Sequence, residues 1–219
     1  LPLWIADPAL SEAMTRWGKD RVDHVSTFAQ RVGEPEVVMW GWRANQNKPR
    51  LVTHDRYGHR VDEVDYHPDY HQLMKLGVES ETSSAAWRLA SGAQSSNAMS
   101  GHITHASLLY LLSQVEPGVC CPLSMTYAAA PVLAQNKHLS AQFDKLTTPI
   151  YDSRSVPMSH KRGITMGMAM TEKQGGSDVR TNLTYATPIA GEEGAYLLTG
   201  HKWFCSAPMS DAFLTLALV

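Results

Sequence analysis

Two short stretches hold the residue types that could bind and align a planar, polar ligand. Met170-Thr171-Glu172-Lys173-Gln174-Gly175-Gly176-Ser177-Asp178 follows a hydrophobic run and gathers two hydroxyls, two adjacent glycines and two carboxylates. Adjacent glycines let backbone amides approach a ligand that side chains would otherwise hold off. Further on, Trp203-Phe204-Cys205-Ser206 sets two aromatic rings beside a thiol and a hydroxyl, as a flat hydrogen-bonding cofactor would require. The second stretch is expected to be a strand, on which Trp203 and Phe204 alternate, one facing the core and the other the ligand. The first stretch alone is also compatible with an ordinary capped turn, because Thr171 and Gln174 have capping-box spacing.

Other candidates carry less. His67 with His71 and His102 with His105 have helical spacings, but no third ligand or HExxH context accompanies them, so solvated or capping histidines are expected and no metal. Cys120, Cys121 and Cys205 are odd in number and lack CxxC spacing, which argues against disulfides and zinc and for a reducing cytoplasm. Asn182-Leu183-Thr184 matches a glycosylation sequon by letters only. His160-Lys161-Arg162 reads as a solvated hinge. Nineteen Lys and Arg against twenty-one Asp and Glu give a net charge of -2, so no global field favours nucleic acid or an anionic membrane.

The elements that must position these residues follow from hydrophobic periodicity. With 219 residues, 43% hydrophobic and 18% charged, the chain can build a real core. Asp7-Pro8 with Leu10, Met14 and Trp17 predicts a capped helix stopped by Gly18. Helical spacing recurs over residues 22–33, 36–45, 68–76, 82–89, 103–115, 122–134 and 138–146. The 103–115 segment is apolar round most of its circumference and should be central. Residues 51–66 break the pattern and predict a small hairpin or irregular arm. No leader-like segment or bilayer-length apolar stretch is apparent. From Gly163 the grammar becomes short strands and turns, with GEEG returning into AYLLTG as a hairpin. The domains expected are a helical one over 1–160 and a partial β one over 161–219. The chain starts without Met and stops inside AFLTLALV, so it reads as a fragment whose last strand lacks partners.

TEKQGGSD followed by GHKWFCS resembles the paired T-E-x-x-x-G-S-D and G-x-K-x-W-I-T motifs of the acyl-CoA dehydrogenase family. The KQGG variant, YDSRSVPMSHKRGITMGMAM, HPDYHQLM and CPLSMTYAAAP resemble its AidB-like, alkylation-response branch over nearly the whole chain. The resemblance implies an α+β fold with an all-helical N-terminal domain, the first part of a β-barrel or β-sandwich middle domain, and the C-terminal helical bundle absent. It implies FAD as cofactor, with Met168, Ala169, Met170, Thr171, Glu172, Gly175, Gly176 and Ser177 lining it. Thr171 would donate to the pyrimidine side of the flavin, and Ser177 would also meet the acyl-CoA substrate. Phe204, Cys205 and Ser206 would run beside the ring, Ser206 near N5; Phe204 and Ser206 stand where Trp and Thr are commoner. The implied activity is oxidation of CH–CH bonds in short or branched acyl-CoA such as isovaleryl-CoA. The family's glutamate base belongs to the absent domain, so no catalytic residue is assigned here, and neither Glu172 nor Asp178 takes that role. A second reading, from the AidB-like resemblance alone, is a flavoprotein that binds and protects DNA through the missing C-terminal region, its dehydrogenase activity vestigial. A cytoplasmic homotetramer without membrane contact is expected of the full-length protein.

Overall fold

The computed structural model describes residues 3–90 and 97–219. After a single turn, α1 (Leu3–Ala6), the Asp7 carboxylate accepts from the Leu10 amide at 2.9 Å and so caps α2 (Pro8–Trp17), which Gly18 ends. The helical layer continues through α3 (Val22–Val32), α4 (Pro35–Gln46), α5 (Pro68–Glu79), α6 (Ala85–Ala90), α7 (Asn97–Ser113), α8 (Cys120–Ala134) and α9 (Ser140–Thr147). The predicted centrality of α7 holds: Leu108, Leu111 and Leu112 are fully buried and pack with Met14, Val25, Val32, Leu73 and Leu123 from the helices around it. Its apolar circumference exists because neighbours cover it on several sides.

Between α4 and α5 the chain forms the expected hairpin, an antiparallel pair of β1 (Arg50–His54) and β2 (Arg60–Asp65) with an irregular register between Val52 and His54. Turns over 80–84 delay α6, whose start was expected at Thr82. The expectation that no apolar stretch reaches bilayer length is corrected: Pro117–Ala134, 18 residues at a mean hydropathy of 1.2, is long and apolar enough. Leu123, Ala129, Ala130 and Leu133 of this run are buried against the protein's own core, which accounts for its composition.

The β region rests on α8 and α9. Strand β3 (Met166–Ala169) donates its Met166 amide to Thr126 Oγ1 of α8 at 3.1 Å, and Met166 packs with Ile164, Leu146 and Leu133. It pairs in parallel with β6 (Ala212–Thr215), register Met166 to Ala212. The expectation that this last strand lacks partners is therefore corrected. The GEEG return forms as predicted, joining β4 (Tyr185–Pro188) to β5 (Tyr196–Thr199). Two hydrogen bonds, Ala186 N to Leu218 O at 2.7 Å and Leu218 N to Thr184 O at 2.8 Å, tie this hairpin to the chain beyond β6.

Lys161, expected to be solvated, is instead buried. Its ammonium meets Asp211 Oδ1 at 2.6 Å, with both side chains under a tenth exposed, and Asp211 Oδ2 accepts from the Thr165 amide at 2.8 Å. The short basic run hides this because its partner lies fifty residues away by sequence. Asp211→Ala would leave a buried ammonium and an unpaired amide. It is expected to cost about 3–5 kcal/mol in denaturant unfolding, whereas an exposed pair would cost less than about 1 kcal/mol.

Candidate functional site

Glu172, on the glycine loop, organises the site. Its Oε1 accepts from Thr184 N at 2.8 Å, Thr184 Oγ1 at 2.6 Å and Lys202 Nζ at 3.1 Å; its Oε2 accepts from Leu183 N at 2.7 Å and Gln174 Nε2 at 3.0 Å. The backbone amide of Leu183, then the Thr184 hydroxyl, hold its carboxyl well below the usual carboxylate range. One carboxylate therefore fastens the loop to Leu183 and Thr184 and to Lys202 of the second motif. A backbone bond, Trp203 N to Thr171 O at 2.8 Å, closes the same junction. Asn182 Nδ2 donates to Met170 O at 2.9 Å. The two motifs separated in sequence are adjacent in space.

Met168 lies half-buried in β3 against the group formed by Leu133, Leu146, Ile164 and Met166, and Ala169 is buried with its carbonyl accepting from Thr215 Oγ1 at 2.7 Å. Met170 and Thr171 form a half-buried rim, and Gly175, Gly176 and Ser177 are exposed beyond it. The Glu172 side chain is turned inward and spent on the contacts above, so only its backbone can face a ligand. Gly175 has φ +133 in the turn closed by Gly175 N to Glu172 O at 3.0 Å, a conformation that a side chain disfavours. A Cβ on Gly176 would stand 3.0 Å from Thr171 Oγ1, so the missing side chain keeps that hydroxyl open. Among the described residues the hydroxyls of Thr171, Ser177 and Ser206 have no hydrogen-bond partner.

The second motif is not a strand. Phe204 and Ala207 adopt φ +55 and +50, and Ser206 N bonds Phe204 O at 3.0 Å in a tight turn. The expected alternation of Trp203 and Phe204 fails with it. Both rings are exposed, Phe204 at 78%, and meet edge to face at 5.8 Å. The Lys202 and Trp203 bonds hold one end of the segment against the loop, and the left-handed residues then turn the chain outward. Left-handed φ on a bulky residue is strained, and such strain clusters at ligand sites. Cys205 and Ser206 are exposed on the same turn.

Comparison with known proteins decides the family. The model of the adaptive response protein AidB N-terminal domain matches residues 1–153. The chain belongs to the AidB family. AidB of Escherichia coli (strain K12) is 42% identical over 221 residues, covering 98% of this chain. Acyl-CoA dehydrogenase family member 11 of Caenorhabditis elegans is 33% identical over 200 residues, covering 89%. The chain spans 39% and 30% of the lengths of these two relatives. Among solved structures, Caenorhabditis elegans ACDH-11 in complex with C11-CoA has a TM-score of 0.79 at 29% identity, covering 98% of this chain and 35% of that one. The Bd2924 apo-form has a TM-score of 0.80 at 27% identity, covering 99% and 42%. The α+β acyl-CoA dehydrogenase-like fold expected from the motifs is thus the fold observed.

Sequence reasoning missed three residues of this AidB-family site: Asn182, Thr184 and Lys202. Lys202 stands inside the quoted GHKWFCS motif, and a lysine beside aromatics needs a carboxylate, so Glu172 was a findable partner. Asn182 and Thr184 carried only a misleading sequon. The histidines also found partners: His67 caps α5 as expected, His102 stays exposed while bonding the Tyr127 hydroxyl, and half-buried His105 donates from Nδ1 to Thr82 O at 2.6 Å.

Two outcomes follow from this geometry. With a folded-state pKa below the ordinary 4.5, the stability that Glu172 contributes is present above about pH 4.5 and drains away as pH falls toward the lowered value. Glu172→Gln should lower the melting temperature at neutral pH and flatten its decline on acidification; an unchanged profile in thermal unfolding would contradict the arrangement. Gly175→Ala should cost about 1–3 kcal/mol of stability in denaturant unfolding.

Proposed function

We propose that this chain supplies the cofactor-facing wall of an FAD-dependent acyl-CoA dehydrogenase that oxidises CH–CH bonds of short or branched acyl-CoA. The junction of the two motifs through Glu172, Lys202 and the Trp203 amide carries this reading. The residues present suit a flavin. Open hydroxyls at Thr171, Ser177 and Ser206 offer hydrogen bonds, Gly176 leaves room beside Thr171, and the exposed Phe204 ring offers a flat apolar face. The Asn182 Oδ1 atom, buried without a partner next to Met170, is a further acceptor at this site.

In this reading Thr171 and Ser206 orient the isoalloxazine, while Ser177 and the loop amides face the pyrophosphate and the thioester. A bound FAD would supply the acceptor for the hydride leaving the substrate's β-carbon. This chain's part is alignment and exclusion of water. The α-proton is taken by a carboxylate other than those on the loop, since Glu172 is fully engaged and Asp178 accepts from Arg180 N at 3.2 Å in capping its own turn.

Anaerobic addition of isovaleryl-CoA to the full-length flavoprotein should bleach the long-wavelength flavin absorbance. If no short or branched acyl-CoA reduces the flavin, the reading fails. Thr171→Val removes one hydrogen bond worth about 0.5–1.5 kcal/mol and should weaken flavin retention several-fold, measured by equilibrium release of FAD.

A further inference from the structure

A cavity of about 1200 Å³ lies away from the glycine loop. It reaches Thr165, which precedes β3, whereas Thr171 follows that strand, so the two regions sit at its opposite ends. Strand β2 forms one wall, the 151–158 connection another, and residues 208–211 part of the floor.

One side of the cavity is aromatic. Tyr66 stacks on Tyr70 at 4.1 Å, His71 stands edge-on to Tyr66 at 6.0 Å, and His71 Nδ1 lies 2.8 Å from the Tyr151 hydroxyl. Burial lowers the pKa of His71 and raises that of Tyr151, so both are neutral near pH 7. Among the described residues the Tyr66 hydroxyl has the Met209 sulfur, at 3.3 Å, as its one acceptor.

Five carboxylates line the space against two cations. Arg154 and Lys161 are already held by Asp152 and Asp211. Asp62, Glu63 and Asp65 of β2 remain. Arg60 and Arg50 pair with the first and last of these, but both arginine side chains are about three-quarters exposed, and such pairs offset little and exchange readily. Asp62 also holds φ +49, and Ser210 Oγ, on the cavity floor, is buried with no hydrogen-bond partner among the described residues. Ring faces and carboxylates both attract a cation, and the same carboxylates repel phosphate-bearing molecules such as acyl-CoA or nucleotides.

We propose that this cavity is a second binding site, for a small organic cation carrying amine or guanidinium groups on an apolar body. The ammonium meets Glu63 and Asp65, its methylenes lie against Tyr66 and Met209, and Ser210 supplies a polar contact at the floor. The site does not depend on the flavin reading, and it fails or stands separately.

Calorimetric titration of spermidine into the full-length protein tests it. Saturable binding is expected, weakened by added salt. The double variant Glu63→Gln, Asp65→Asn lies on an exposed ribbon, should keep the thermal unfolding transition of the parent, and should bind at least about 10-fold more weakly. Tyr66→Leu should weaken binding several-fold. Absence of saturable binding, equal binding by the double variant, or displacement of spermidine by ADP would each overturn the proposal.

Discussion

A single carboxylate, Glu172, removed from water and met by five donors, is the interaction on which the site depends. A buried charge is costly unless every lone pair is answered. Here the answers come from three separate stretches of chain, so satisfying the charge and assembling the site are the same event. The loop can then leave the Thr171 hydroxyl, Gly176 and Ser177 without internal hydrogen bonds among the described residues. The inward residue is fully committed so that the outward ones need not be.

The helical layer supplies the platform beneath this arrangement. Thr126 of α8 fixes the start of β3, and Asp211 fixes β6 beside it. Only four residues of strand separate those anchors from the loop. A displacement in α8 therefore passes into the loop with little chain to absorb it, which is how packing in the helical layer comes to govern the loop's geometry.

Helices were legible because apolar spacing and caps are local: Asp7, Gly18 and the α7 stripe each speak for themselves. Hairpins were legible for the same reason. The second motif was misread because its composition, Trp203 to Ser206, suits a strand, while its shape is set by tertiary bonds at Lys202 and Trp203 that propensity does not encode. Lys161 was misread likewise, since nothing near it in sequence reveals Asp211. Ala169 and Glu172 show a subtler limit, in which the motif marks the right place but does not say which side chains turn inward.

The parallel pairing of β3 with β6 has a temporal meaning. Thr215 reaches back to Ala169 across 46 positions. A ribosome must release nearly the whole segment before that seam closes, and the hydrophobic face of β3 has no strand beside it until then. Contacts of such long reach form slowly, and the helices ahead of them can settle first. The platform would then exist as a scaffold during synthesis, with the glycine loop and its strands laid onto it afterwards.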